Sequence, residues 1–122
     1  MAKILIVDDE ESILFMYSEK LKEAGHQILT ACKGEEGLEI ARKEKPDLIF
    51  LDIIMPKLNG LDVLKELKSD PETKNIPTFL LTNLPEDASG NKAKELGVTG
   101  YLVKAQVEPT DLEKVVEEAI KK

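Results

Sequence analysis

The sequence predicts a doubly wound α/β domain, in which a five-stranded parallel sheet is covered by helices on both faces. Strand and helix patterns alternate five times along the 122 residues, and this alternation is typical of repeated βα units. Several strand segments are apolar throughout, as expected for strands that are buried on both faces of a parallel sheet. The length suits one domain with one substantial core.

The five predicted strands are short segments rich in apolar residues. The first, Ile-Leu-Ile-Val, is bounded by charge, which favours a buried strand. The second is weaker because polar residues interrupt its apolar pattern. In chain order, the predicted strands span residues 4–7, 27–31, 48–51, 78–81 and 101–103.

The five predicted helices have apolar residues at helical spacing and several end at glycine or proline. In chain order they cover residues 10–24, 35–45, 61–67, 87–96 and 112–120. The fourth is the least regular, because Ser-Gly-Asn interrupts it. The last begins either with Pro109 in its first turn or with a capping box of Thr110 and Glu113. In the first helix, the spacing predicts this inward face: Ile13, Met16, Tyr17, Leu21 and Ala24.

Composition excludes several classes of function. The net charge is -7, and an acidic domain repels nucleic-acid phosphates and anionic membranes, so we expect no direct contact with either. No apolar run has membrane-spanning length, and the chain runs from Met1 into a strand without a signal peptide. The single Cys32 cannot form an internal disulfide, which fits a reducing compartment. We therefore expect a cytoplasmic protein.

Polar groups capable of phosphoryl chemistry follow four of the five strands. Ligands of such sheets bind outside the carboxyl ends of the strands, where these groups would meet. Clustered carboxylates favour a hard cation such as Mg²⁺, and an aspartate can act as a nucleophile toward phosphorus. A lysine and a hydroxyl can bind phosphoryl oxygens. The groups are Asp8, Asp9 and Glu10, then Asp52, then Thr82, and finally Lys104.

Simpler interpretations exist for each of these residues alone. Asp8 and Asp9 could cap the first helix and place acids in its first turn. Thr82 or Lys104 alone would be an ordinary residue at the end of a strand. Asp52 is harder to explain in this way, because apolar residues flank it on both sides. The joint placement at four strand ends favours a site.

Four sequence motifs resemble the receiver domain of two-component response regulators, the family that includes the chemotaxis protein CheY. The resemblance covers essentially the whole chain and implies one receiver domain over residues 1–122, without an effector domain. It implies the flavodoxin-like strand order 2-1-3-4-5. The motifs are Val7-Asp8-Asp9-Glu10, Leu51-Asp52-Ile53-Ile54-Met55-Pro56 with Asn59-Gly60, Leu80-Leu81-Thr82, and Tyr101-Leu102-Val103-Lys104.

The resemblance assigns a role to each matching residue. Asp52 matches the phosphoacceptor, and the implied Mg²⁺ ligands are Asp8, Asp9, Asp52 and the backbone carbonyl of Ile54. Thr82 matches the switch hydroxyl, Tyr101 the aromatic residue that changes rotamer with it, and Lys104 the lysine of the family pattern. The phosphodonor would be a histidine kinase or a histidine phosphotransfer protein, and an unidentified output protein would bind the altered surface.

The sequence departs from the family pattern at two positions beside this site. Ala105 follows Lys104 where the family usually has a proline with a cis peptide, so the isomer of this bond stays open. Asn83 follows the switch hydroxyl where a small residue is usual. It would either narrow access to Asp52 or add a hydrogen bond to the phosphoryl group.

Two alternatives to a phosphorylated receiver stay open from the sequence. A phosphatase with an aspartate nucleophile would need a second acid two residues beyond Asp52, where Ile54 stands. A receiver-shaped interaction module without phosphorylation would not need the acids, hydroxyl and lysine that this chain has. We expect a signalling domain rather than an enzyme. The resemblance implies that Ile54 and Leu84 flank the approach of water to the phosphoryl group, and because both are apolar and cannot orient water, we expect slow self-dephosphorylation.

Phe15 is a candidate docking residue on the first helix. Helical spacing places it about 200° from Ile13, on the face opposite the core. In receivers this helix commonly docks the kinase or phosphotransfer protein, and aromatic anchors contribute strongly to such interfaces. We expect an exposed ring that serves the partner rather than the core.

Overall fold

Five parallel strands form a single sheet at the centre of the computed structural model. The structure describes residues 2–55, 59–83 and 86–120, without the side chains of 86–89. The sheet order is β2-β1-β3-β4-β5, which confirms the predicted fold class. The strands are β1 (Lys3–Val7), β2 (Gln27–Ala31), β3 (Leu48–Leu51), β4 (Thr78–Thr82) and β5 (Gly100–Val103). The strand predictions agree with these bounds to within one residue.

Helices cover both faces of this sheet. On one face α1 packs beside α5, and on the other α2 packs beside α3. The helices are α1 (Glu11–Glu23), α2 (Gly34–Glu44), α3 (Gly60–Ser69), α4 (Glu86–Glu95) and α5 (Pro109–Ile120). The described part of the chain contains no helix that is both long and apolar enough to cross a bilayer.

Alternate residues of β1 pack into two separate hydrophobic cores, because successive side chains of a strand point to opposite faces of the sheet. Leu5 and Val7 join the cluster under α2 and α3. Ile4 and Ile6 join the cluster under α1 and α5. All four side chains are fully buried, which explains why β1 is apolar throughout. The chain beyond Val7 therefore begins at a fixed place on the edge of the sheet.

The buried face of α1 differs from the predicted one. Its buried residues are Leu14, Tyr17, Ser18 and Leu21, whereas Ile13 is half-buried. The prediction was wrong for Met16, which is 42% exposed, and for Ala24, which is also exposed. The packing of α1 against both α5 and the sheet turns the buried stripe toward Leu14 and Ser18. The predicted exposure of Phe15 is confirmed at 68%.

The chain after β5 resolves two questions that the sequence left open. The Lys104–Ala105 peptide is trans, and a short 3₁₀ turn, Lys104–Gln106, follows the strand. Pro109 is the first residue of α5, as one of the two alternatives predicted. The backbone N–H of Glu108 donates to Asp111 Oδ2 at 2.8 Å, so the acid in the first turn is Asp111 rather than Glu113.

Candidate functional site

The carboxyl ends of β1 and β3 place two buried acids next to each other. Val7 is paired with Leu51 in the register of these strands, so Asp8 and Asp52 are the next residues on neighbouring strands. The Asp52 N–H donates to Val7 O at 2.9 Å, which holds the two chain segments together. Asp8 is 2% exposed and Asp52 is 5% exposed. Two carboxylates are thus held in the protein interior, where a charge needs a partner.

Lys104 supplies that partner from the end of β5. Its Nζ lies 2.5 Å from Asp8 Oδ2 and 2.9 Å from Asp52 Oδ2. Glu10 Oε1 is further away, at 3.8 Å, and the Glu10 side chain is largely exposed. One ammonium is therefore shared by two buried carboxylates and approached by a third.

The pKa values of two groups follow from this arrangement. Burial raises the pKa of the Asp8 carboxyl above its usual range, although hydrogen bonds from Lys104 and from the Glu10 backbone N–H oppose the effect. For Lys104, burial by itself would lower the pKa. Hydrogen bonds to Asp8 and Asp52 outweigh burial and raise the pKa of its ammonium. Lys104 therefore stays charged at neutral pH.

The acids fit a hard divalent cation. Asp8, Asp9 and Asp52 each offer a carboxylate oxygen, and these oxygens all lie within 4.8 Å of one another. Asp9 is exposed, so one side of the cluster is open to solvent. The set contains oxygen ligands only, which suits Mg²⁺, and three carboxylates carry more negative charge than Lys104 neutralises. Receiver domains bind Mg²⁺ at an acidic pocket of this kind.

A pocket of about 290 Å³ opens beside Asp52. Thr82 is fully buried at its wall, and Asn83 is exposed at its rim. Ile54 is 58% exposed at the mouth, and its backbone N–H donates to Asp52 Oδ1 at 3.3 Å. The lining residues are Asp9, Glu10, Asp52, Ile54, Thr82, Asn83 and Lys104.

Tyr101 does not line this pocket. It is half-buried on β5, where it pairs in register with Leu80 and packs against the core under α2 and α3. It lines a separate, smaller cavity together with Ala93 and Val98, next to α4. Of the site residues named from the sequence, Tyr101 is the one that the structure keeps apart from Asp52.

Two further residues support the site. The first is Glu10, which the sequence already placed at this edge and whose Oε1 lies 3.8 Å from Lys104 Nζ. The second is Gly60, at the start of α3, whose N–H donates to Ile53 O at 2.7 Å. A Cβ at position 60 would overlap the carbonyl oxygen of Asp52 and lie 2.6 Å from Ile53 Cα. Asn59-Gly60 belongs to one of the sequence motifs, but the sequence does not show what the glycine touches.

A parallel sheet of this order, with a buried acid pair and a lysine at its carboxyl edge, defines the CheY-like class of α/β domains. The family model for the response regulator receiver domain matches residues 4–117. The chain belongs to this family, whose members are signalling domains of two-component systems rather than enzymes.

Relatives and solved structures are similar over most of the chain. Protein PilH of Pseudomonas aeruginosa is 38% identical over 115 residues, which cover 94% of this chain and 95% of PilH. The alkaline phosphatase synthesis transcriptional regulatory protein PhoP of Bacillus subtilis is 42% identical over 102 residues, but these cover 42% of PhoP. The structure of the chemotaxis protein CheY4 of Vibrio cholerae matches with a TM-score of 0.90 and 35% identity, over 98% of each chain.

Proposed function

We propose that Asp52 accepts a phosphoryl group from a phosphohistidine of a histidine kinase or a histidine phosphotransfer protein. The observation that carries this proposal is the position of Asp52: a buried carboxylate, 2.9 Å from Lys104 Nζ, that opens onto a pocket. A carboxylate that served the fold alone would not need to face such a pocket.

The transfer follows from the groups around Asp52. A carboxylate oxygen of Asp52 attacks phosphorus, the P–O bond forms, and the P–N bond to the donor imidazole breaks. The imidazole leaves with the electron pair of that bond and takes up a proton. Phosphoryl transfer needs mainly positioning and charge stabilisation, and Lys104 supplies a positive charge for the phosphoryl oxygens. Asn83, at the rim, is a hydrogen-bond donor for the same oxygens.

Asp8, Asp9 and Asp52 would hold Mg²⁺, together with the backbone carbonyl of Ile54. Bound there, the ion would neutralise the negative charge of the phosphoryl group and of the acids. Asp9 is suited to direct coordination because it is exposed, whereas Asp8 is already hydrogen-bonded to Lys104 and to the Glu10 N–H.

Phosphorylation would change the surface on the α4 side of the sheet. Thr82 lies in the wall of the pocket, two strand positions beyond Leu80, which is paired with Tyr101. Thr82 would turn toward the phosphoryl group, and Tyr101 would change its rotamer together with it. An output protein would then bind the altered surface formed by α4, β5 and α5, in the cytoplasm.

The lifetime of the phosphoryl group depends on the residues that flank the approach of water. Ile54 is apolar and exposed at the mouth of the pocket, so it covers the approach without orienting a water molecule. Leu84, the other residue expected to act in this way, lies outside the described residues. We therefore propose slow self-dephosphorylation, which Ile54→Asn should accelerate.

Phosphorylation by acetyl phosphate tests the function directly. The wild type should gain the mass of one phosphoryl group in the presence of Mg²⁺ and none after chelation with EDTA. Asp52→Ala should gain none, whereas Asp47→Ala, which removes an exposed acid far from the pocket, should label like the wild type. An unlabelled wild type would identify an interaction module, and continued turnover of a phosphoester would identify a phosphatase.

A further inference from the structure

A second cleft, separate from the phosphoacceptor pocket, lies beside α1 at the open edge of the sheet. It has a volume of about 400 Å³ and lies over the end of β2, close to the start of α2. Its lining comes from α1, β2 and the start of α2: Glu11, Leu14, Phe15, Ser18, Glu19, Lys22, Thr30, Cys32 and Glu36. It shares no lining residue with the pocket at Asp52.

The α1 wall combines an exposed ring with carboxylates. Glu11, Phe15 and Glu19 are spaced by four residues, so they lie along one stripe of the helix. The Phe15 ring is 68% exposed. Leu14 continues the apolar surface inward and is nearly buried. The wall thus presents an aromatic face flanked by two negative charges, which is the arrangement that attracts a cation with an apolar neighbour.

The opposite wall adds a third carboxylate. Glu36 Oε1 accepts the backbone N–H of Cys32 at 3.0 Å and lies 3.8 Å from the Cys32 sulfur. This bond holds one oxygen of Glu36 at the end of β2. The lining carries three carboxylates but only one ammonium, that of Lys22. The Lys22 Nζ lies 3.9 Å from Glu19 Oε2. The cleft therefore has an uncompensated negative charge.

Ser18 provides a polar group within the lining. It is 5% exposed, and its Oγ has no hydrogen-bond partner among the residues that the structure describes. A buried hydroxyl without a partner costs free energy, and an apolar residue at this position would avoid that cost.

We propose that this cleft is a docking site for an arginine-bearing segment of a partner protein. The planar guanidinium stacks on the Phe15 ring and pairs with the carboxylates of Glu11 and Glu36. An aliphatic neighbour of the arginine packs on Leu14. The charge of the cleft favours a cation, and its combination of apolar and acidic walls favours a peptide segment over a free ion. The proposal does not depend on phosphorylation of Asp52.

A titration with a short peptide of alternating leucine and arginine tests the proposal. Amide resonances in ¹⁵N spectra should shift around Ser18, Thr30 and Cys32, and those around Asp52 should not. The matched probe is the same peptide with citrulline, a neutral analogue, in place of arginine, and it should bind more weakly. Free arginine amide is the small-molecule probe. If it binds as tightly as the peptide, the assignment to a partner protein is overturned.

Variants of the chain locate the binding. Phe15→Ala should lower the affinity for the arginine peptide about two- to fivefold, as expected for one exposed cation–π contact. Glu36→Gln should lower this affinity by up to about fivefold, as expected for one exposed ion pair. Glu35→Gln is the control, because it removes the same charge from the neighbouring position outside the lining. Equal losses for Glu36→Gln and Glu35→Gln would mean attraction to the overall acidic charge and would overturn the site.

Cys32 allows a second measurement without an engineered cysteine, because it is the single cysteine of the chain and lines the cleft. In one redox buffer Cys32 exchanges with cystamine, releasing cysteamine, and in another it exchanges with the neutral bis(2-hydroxyethyl) disulfide, releasing mercaptoethanol. At the same ratio of disulfide to thiol, the mixed disulfide with cysteamine should accumulate more than the one with mercaptoethanol. Phe15→Ala and Asp52→Ala should distinguish the two sites: the first should reduce this preference and the second should leave it unchanged. An equal or reversed preference in the wild type contradicts a cation site.

Discussion

The two ends of the central sheet use charged residues in opposite ways. At the amino end, Lys3 N–H donates to Asp47 Oδ2 at 2.9 Å, and Lys3 Nζ lies 3.4 Å from Glu44, with both side chains about one-third exposed. At the carboxyl end, Asp8, Asp52 and Lys104 are each less than 10% exposed. Solvated pairs of the first kind contribute little to stability, whereas buried charges depend strongly on their partners. The fold alone does not require the buried charges of Asp8, Asp52 and Lys104 at the carboxyl end, because buried ion pairs are weak contributors to stability.

Removing the lysine at each end gives the largest expected difference. Lys104→Met keeps most of the side-chain volume but leaves Asp8 and Asp52 buried side by side. It should reduce the free energy of unfolding by about 3–5 kcal/mol. Lys3→Met, at the solvated end, should cost at most about 1 kcal/mol. Urea unfolding in Mg²⁺-free buffer at neutral pH measures both losses, and similar losses would remove the contrast between the two ends.

A methyl group at Gly60 tests how tightly the carboxyl end is packed. Gly60→Ala places a Cβ against the backbone of Asp52 and Ile53, which cannot move without displacing the phosphoacceptor. We expect a loss of about 3 kcal/mol, at the upper end for overpacking, together with slower labelling by acetyl phosphate. The comparison is Gly37→Ala, whose Cβ would meet a Val7 methyl group at 2.8 Å. Labelling should be unaffected there. Equal labelling rates in the two variants would contradict the role of Gly60.

Mg²⁺ should stabilise the folded protein through the acids at the carboxyl end of the sheet and not through those at the amino end. A ligand that binds only the folded state adds about 1.4 kcal/mol at a concentration ten times its dissociation constant. Thermal unfolding of the wild type should therefore shift upward with Mg²⁺. The shift should shrink in Asp9→Asn, which removes an exposed member of the cluster, and persist in Asp47→Asn at the amino end. A full shift in Asp9→Asn would exclude this aspartate as a ligand.

The architecture was predictable from the sequence because strands buried on both faces appear as uninterrupted apolar runs. The run from Ile4 to Val7 contributes side chains to both cores, so these four residues are buried only if the strand lies inside the sheet with helices on both faces. The grouping of polar residues followed from the topology, since parallel strands end at one edge of the sheet. The structure brings these residues together beside Asp52: Asp8, Asp9, Ile54, Thr82, Asn83 and Lys104.

What the sequence did not reveal depends on contacts between distant elements. The inward face of α1 is set by α5 and the sheet together, and an apolar pattern that includes Met16 does not show which side they cover. The close approach of Gly60 to the backbone of Asp52 and Ile53 depends on how the chain folds back between β3 and α3, which the residue types do not show. The cleft at Ser18 likewise exists only after α1 has packed over β2.

The smallest expected effect belongs to Asp70, a half-buried acid at the amino end of the sheet. Asp70 accepts hydrogen bonds from the backbone N–H of Glu72 and from Arg42 Nε, both at 2.9 Å. These two bonds, in that order, lower the pKa of its carboxyl below the usual 3.8. Because the folded state holds the proton less tightly than the unfolded state, the stabilisation is complete above pH 3.8 and is lost as the pH falls through the lowered value.

Asp70→Asn tests whether folding lowers the pKa of the Asp70 carboxyl. At neutral pH the variant should unfold at a slightly lower urea concentration than the wild type, because the amide keeps an acceptor oxygen but loses the charge facing Arg42. Below the lowered pKa the wild-type carboxyl is protonated, so the two midpoints should converge. Urea unfolding across the acidic range measures the convergence. A difference that widened on acidification would mean that the folded state raises the pKa of Asp70, and the amino end would then resemble the carboxyl end.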